Sequence, residues 1–453
     1  MSTSDILPCF IVMMLATLAT IAASSKAPSP ERELVRGSMA LHFVSSFTLL
    51  WVMDYVFGVS DTHVYLAEAK PLIALLEQRF GDTFVDILRL IVNQSTHLPG
   101  YEEGGGSSAS MVGVSALTVF FANGSVWAVF VALGYLGFLG KWALYAGLRD
   151  EMPEVSTRSL AYAVLLFPSV VFWTSGLVKE TFALAGIGFL FRSVQLLRRG
   201  PNVFALVVGA VGFALVASFK PYLLFPFAVG ARSWFVTARS TRFPLLNPLL
   251  ALLAIAVSVV AIAALGKIFP EFAADKVAES AAKLQSSYSE GGGGSNFEVI
   301  EVEDRSTAMR VALAPVALFT ALARPLIFEA HNVSSFITAF ETLVVTVLAI
   351  QTVRTVGIRA TAAAIMNHRA LGFCAVFVVI AATAIGMATS NFGTLARYRA
   401  PLLPMYAALI IGVRAVAAAA QAKERPAAEP APAVAARVRG APRRNLRGLG
   451  WLR

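Results

Sequence analysis

Arg324, Glu329, His331 and Asn332 fall within nine residues of one another in "LARPLIFEAHNVSS" (322–335), between two long apolar stretches. Four more polar clusters interrupt apolar sequence. "GVSDTHVYLAEAK" (58–70) offers Asp61, His63, Tyr65, Glu68 and Lys70, and "FPSVVFWTSGLVKE" (167–180) ends in Lys179 and Glu180. "SFKPY" (218–222) sets Lys220 between two apolar runs, and "NFGTLARYRAPLLP" (391–404) carries Asn391, Arg397, Tyr398 and Arg399. A carboxylate such as Asp61, Glu68 or Glu329 can accept the proton of an attacking hydroxyl. Arginine forks match phosphate oxygens, lysine supplies a compact charge, and fixed cations of this kind stabilise a departing phosphate. A cation at the centre of a membrane helix costs about 2.5–3.5 kcal/mol on insertion scales. A shared anionic ligand would offset that cost for Lys179, Lys220, Arg324, Arg397 and Arg399.

Plainer readings compete at each position. Lys179 and Glu180 read equally well as a helix-end pair, and Arg397 and Arg399 as side chains snorkelling to lipid phosphates. Asp54, inside an apolar run, reads as a bond to a neighbouring helix. Trp173 reads as an interfacial anchor before a platform for a sugar. His42, His97 and His368 stand alone and read as structural, and Cys9 and Cys374 as packing. There is no H-E-x-x-H and no paired Cys-x-x-Cys, so no metal site is specified.

The elements that must position these residues are membrane helices. The chain has 453 residues, 57% hydrophobic and 14% charged, with a mean hydropathy of +0.70. Soluble domains carry nearer a quarter charged residues. Continuous apolar runs recur, which predicts an all-α, polytopic transmembrane bundle and excludes a barrel of short alternating strands. Eleven spans are expected, near 6–23, 39–58, 125–147, 159–176, 179–197, 202–219, 222–238, 246–265, 334–352, 370–388 and 400–418. The run 311–328, with Pro315 and Pro325, is read as an interrupted re-entrant segment or half-helix. Complete crossing there would put the following basic loop on the wrong side.

Net charge is +10, but the basic residues lie in short loops and in the tail, which fits the positive-inside rule better than nucleic-acid binding. Arg192, Arg198, Arg199, Arg232, Arg239, Arg242, Arg354, Arg359 and Arg369 mark the expected cytoplasmic side. The segment 266–310 holds eight acidic and five basic residues and is expected outside. Residues 1–421 are thus read as one bundle with external loops 59–124 and 266–333, and 422–453 as a basic, disordered cytoplasmic tail near lipid headgroups. Glycine runs in both loops lack a phosphate-loop ending and read as flexible linker. "AAS" at 22–24 looks like a cleavage site, but no basic residue precedes the first run, which favours a retained span with an external N-terminus. In this topology all five polar clusters face outward.

"FPSVVFWTSGLVKE", "RPLIFEAHN" and "NFGTLARYRAPLLP" resemble signatures of bacterial multi-pass proteins related to GT-C-type glycosyltransferases and O-antigen or exopolysaccharide polymerases. The resemblance covers most of 40–415. It implies a GT-C-like bundle in the bacterial cytoplasmic membrane that acts at the external face on a polyprenyl-phosphate-linked sugar. By that resemblance Asp61 takes the place of the acidic base or metal ligand in the first external loop, although this chain has one Asp where many members have an acidic pair. Glu68 and Glu329 are reserve bases, and a divalent metal is compatible with the class. Arg324, Arg397, Arg399 and Lys220 are expected to hold the phosphate, His331 and Asn332 to orient sugar hydroxyls, and His63, Lys179, Glu180 and Asn391 to bind substrate. The alternatives are a transporter or flippase of a lipid-linked or anionic solute, which would show repeats and midplane sites, and a non-catalytic envelope-assembly subunit.

Overall fold

The computed structural model describes residues 3–58, 60–235 and 307–424, which form helices and connecting turns with no strand. Helices α1 (Thr3–Ser24) and α2 (Ser29–Val52) form a hairpin, and a π-helical turn, Met53–Phe57, extends α2. Then come α3 (Asp61–Gln78), α4 (Phe80–Ile91), α5 (Gly106–Phe121) and the long α6 (Val126–Glu151). The short helices α7 (Thr157–Leu165) and α8 (Pro168–Trp173) lead to α9 (Lys179–Leu197), α10 (Val203–Phe219) and α11 (Leu224–Phe235). The last described group is α12 (Thr307–Ala323), α13 (Val333–Val356), α14 (Ile358–Asn367), α15 (Arg369–Ala388), α16 (Phe392–Tyr398) and α17 (Leu403–Glu424). The expected span at 246–265, the acidic loop 266–306 and the basic tail lie outside the described residues.

Seven described helices are long and apolar enough to cross a membrane: Thr3–Ser24, Ser29–Phe57, Val126–Glu151, Lys179–Leu197, Val333–Val356, Arg369–Ala388 and Leu403–Ala422. Their outward faces are oily, as with Phe10 (61% exposed) on α1 and Ile337 (61%) on α13. The chain is therefore a helical membrane protein. Of the eleven expected spans, 246–265 lies outside the described residues, and others are broken or short among the described ones. The expected span 159–176 is two short helices, because Phe167 before Pro168 takes extended backbone (ψ 116°) and Pro168 restarts the helix. At 17 residues α10 reaches only about 25 Å against a hydrocarbon core of about 30 Å.

The break leaves open carbonyls in an apolar interior. That of Leu165 accepts from Lys141 Nζ of α6 (2.7 Å) and from Ser38 Oγ of α2 (2.8 Å). Lys141 is fully buried, so its amine serves the interrupted backbone rather than solvent. Helices α6 and α9, joined through α7–α8, run in the same direction. Those two approach at glycines: a Cβ on Gly140 would stand 2.2 Å from Ala185 Cα, and one on Gly188 would stand 1.9 Å from the Gly140 carbonyl. Small residues allow this backbone contact, which carries helix association where lipid offers no hydrophobic drive.

Helix α12 is continuous through Pro315, contrary to the expected interruption there. Its backbone at Ala317 presses on Gly386 of α15, and the helix ends only at Ala323, before Arg324 and Pro325.

The polar segment 59–124 is folded rather than a loose loop. Leu72, Leu76, Ile87, Leu90, Met111 and Val112 of α3–α5 are at most 2% exposed and build a second core against the start of α6. Its glycine run is ordered too, since Asn93 Oδ1 accepts from the amides of Gly105 (3.2 Å) and Gly106 (2.7 Å). Gly104 supports the turn at φ +87°.

Candidate functional site

Four of the five polar clusters send residues into linked bonds at one end of the bundle. The link is Glu180, in the first turn of α9. Its side chain is fully buried and accepts from Lys220 Nζ (2.7 Å) and Arg397 Nε (2.9 Å). Lys220 sits where α10 stops before Pro221, and its ammonium lies 3.9 Å from the centre of the Tyr398 ring. Arg397, near the end of α16, turns Nη1 to Asp61 Oδ2 (3.0 Å). Asp61 opens α3 and its side chain is 55% exposed, against 19% for Arg397. The network thus runs from a dry carboxylate through one cation, Arg397, to a wet carboxylate, with Lys220 as a second cation on the dry one. Burial disfavours the Arg397 charge, but Glu180 and then Asp61 outweigh it and hold the guanidinium proton more firmly than water does.

Lys179 joins from the side. Its Nζ donates to Ser107 Oγ (2.9 Å) and Ser108 Oγ (3.1 Å) at the start of α5, and lies 5.8 Å from the Tyr65 ring centre. It therefore ties α9 to the α3–α5 layer that carries Asp61.

The cluster 324–332 occupies the same end but is organised around its own pair. Arg324 donates to Glu329 through Nε (2.9 Å) and Nη2 (2.5 Å), and the Leu326 amide adds a third bond to that carboxylate (2.7 Å). Burial pushes the Glu329 carboxyl up, but the Arg324 hydrogen bonds and the Leu326 amide hold it below the usual carboxylate range. That setting makes Glu329 a weak proton acceptor. Arg324 also lies over Phe392 of α16, 5.2 Å from the ring centre. His331 is exposed beside Glu329. Asn332 caps α13 through the Ser335 amide (2.8 Å), and Asn391 caps α16 through the Gly393 amide (2.8 Å). Both asparagines are thus engaged as helix caps.

Arg399 is placed differently from its expected role. It is 2% exposed and clasps helix ends, donating to the carbonyls of Ala321 (3.3 Å) and Arg324 (2.8 Å) and to Thr342 Oγ1 (2.5 Å). Burial lowers its pKa to about 10, with Glu341 partly opposing the shift. Arg399 and Glu341 border a gap with room for about one water. Trp173 is not a sugar platform either, since it is 8% exposed and one face stacks on Phe57 (centroids 6.0 Å, 7° apart).

Asp61 and Glu68 are two turns apart on α3 but engage different partners. Glu68 accepts from Tyr101 Oη (3.0 Å), which, after burial, raises the phenol to about 12. His63 bonds Asp54 and Ser60 rather than the Arg397 network.

Sequence reading missed Glu341, which accepts from the Ser169 amide (3.3 Å) and hydroxyl (3.2 Å). It also missed the buried Lys141. The available signal was isolation: each is a lone charge within a long apolar run.

Among the described residues no three His, Cys, Asp or Glu side chains gather as a metal site. No protein-family model, curated protein or solved structure matches this chain.

Proposed function

We propose that this chain is a membrane glycosyltransferase or glycan polymerase that uses a polyprenyl-phosphate-linked sugar, with a GT-C-like bundle. In this reading it works at the external face of the bacterial cytoplasmic membrane in envelope polysaccharide synthesis, with the C-terminal tail in the cytoplasm. The observation that carries the reading is one half-exposed carboxylate, Asp61, fixed beside a cation whose own position is set by the buried Glu180–Lys220 pair. Such an arrangement combines a proton acceptor with preorganised positive charge at an apolar boundary.

Asp61 takes the proton of the acceptor hydroxyl as that oxygen attacks the sugar carbon, and the bond from that carbon to the lipid phosphate breaks. Arg397 and Lys179 face the anionic leaving group, while Glu180 and Lys220 hold Arg397 in place from below. Arg324, His331 and Asn332, on the adjoining loop, flank the lipid-linked donor. Surrounding lipid supplies the second partner, the apolar phase in which the polyprenyl chain rides.

The test is Asp61→Asn in the full chain. Glycan product should fall by roughly 100-fold or more at normal membrane abundance, with lipid-linked precursor accumulating. Unchanged glycan at equal abundance would remove Asp61 from the reaction. Solute movement into vesicles without a new glycosidic bond would replace transfer with transport.

A further inference from the structure

Where α2 hands over to α3, three side chains outside the Arg397 network line up. Ser60 Oγ lies 2.9 Å from His63 Nδ1, and His63 Nε2 lies 3.0 Å from Asp54 Oδ1. The Ser60 amide also points at Nδ1 (3.3 Å). A nitrogen that receives a backbone N–H carries the lone pair, so the imidazole proton sits on Nε2 and is donated to Asp54. We infer that Ser60, His63 and Asp54 form a nucleophile, base and orienting carboxylate competent for acyl transfer from an amphiphilic ester at the membrane surface.

The geometry meets the requirements one by one. The nucleophile and base are within hydrogen-bond reach, and a third group fixes the base in the productive tautomer. Ser60 caps α3, so the Asp61 amide, first in an 18-residue helix, has no acceptor within that helix and stands next to the nucleophile. It can donate to the oxyanion. His63 and Asp54 are 38% and 36% exposed, so substrate can reach them. Next to them in the chain are the exposed apolar residues Tyr55 (74% exposed), Val56 (58%), Phe57 (40%) and Val64 (43%). That apolar stretch suits a lipid ester better than a water-soluble one.

Ser60 Oγ attacks the ester carbonyl and its proton passes to His63 Nδ1. The carbon–oxygen bond to the leaving alcohol breaks, and His63 returns the proton to that oxygen. Water or another hydroxyl, deprotonated by His63, then attacks the acyl-serine and frees the enzyme. No redox partner enters. The proposal stands apart from the transferase reading, and its test needs no glycan.

The purified full chain, in detergent, is treated with a fluorophosphonate probe and the adduct is located by peptide mass spectrometry. Modification of Ser60 is expected, and absence of an adduct there, or an adduct only on another residue, overturns the proposal. His63→Gln separates chemistry from structure, because glutamine at this position still closes the capping box with Ser60. Labelling of that variant should slow by roughly 100-fold or more while its melting temperature holds. Labelling at the wild-type rate would make His63 a helix cap only and overturn the assignment.

Discussion

Both ends of the bundle carry ion networks, but they are built to different depths. At the end opposite Asp61, Arg149 bonds Glu31 and Asp150, Arg192 bonds Asp150, and Arg198 bonds Glu151. Arg199, 54% exposed, also reaches Asp150. These pairs staple neighbouring helix ends together, and their arginines are 18–54% exposed, although Glu31 beneath Arg149 is only 6% exposed. At the Asp61 end the central carboxylate is 0% exposed and Lys220 4%. Charges that deep are a poor way to stabilise a fold. Their cost is consistent with a second purpose, which is to hold Arg397 rigidly toward the exposed Asp61.

Breaking the deep network should have the largest effect. Glu180→Gln leaves Lys220 and Arg397 facing a neutral group, and removing one partner of a buried pair typically costs about 3–5 kcal/mol. Thermal unfolding in detergent should show that loss, and a melting temperature within a degree of wild type would make the pair dispensable. Next comes the joint change Ser38→Ala with Lys141→Met. It strips both donors from the Leu165 carbonyl, and a bare buried carbonyl costs about 1–3 kcal/mol. Lys141→Met alone should cost less, because Ser38 remains.

Glu329 gives a smaller, pH-dependent effect. Its folded pKa lies below the ordinary value of 4.5, held down mainly by Arg324 against burial. Its contribution is therefore complete above that ordinary value and is lost as pH falls through the folded one. Glu329→Gln should flatten that part of the stability–pH curve, and an unchanged slope would mean the pair is not formed. Smallest of all, Arg199→Ala on the wet side should change stability by under about 1 kcal/mol. A larger loss would erase the contrast between the two ends.

Helical class and polar clusters were legible because each writes a strong local signal: long apolar runs, and charges that interrupt them. Lys179, Glu180, Lys220 and Arg397 were singled out on those grounds. Sequence alone could not assign depth. Glu180 and Lys179 are neighbours, yet one is sealed under Arg397 and the other ties to Ser107 and Ser108. Arg397 and Arg399 are two residues apart and serve different structures, because a helix end turns the chain between them. The segment 59–124 read as loop since glycine and charged residues are spread through it, and its buried faces show only when α3–α5 pack together. Pro168 was visible, but a run of apolar residues on both sides masked the break it imposes.

That break also bears on how the chain enters the bilayer. A crossing with an open carbonyl is ill suited to hydrocarbon on its own, and the groups that close it, Lys141 and Ser38, lie on helices synthesised earlier. The two short helices then have a reason to stay beside the insertion machinery until α2 and α6 are there to receive them, so that this part of the bundle assembles as a unit and not span by span.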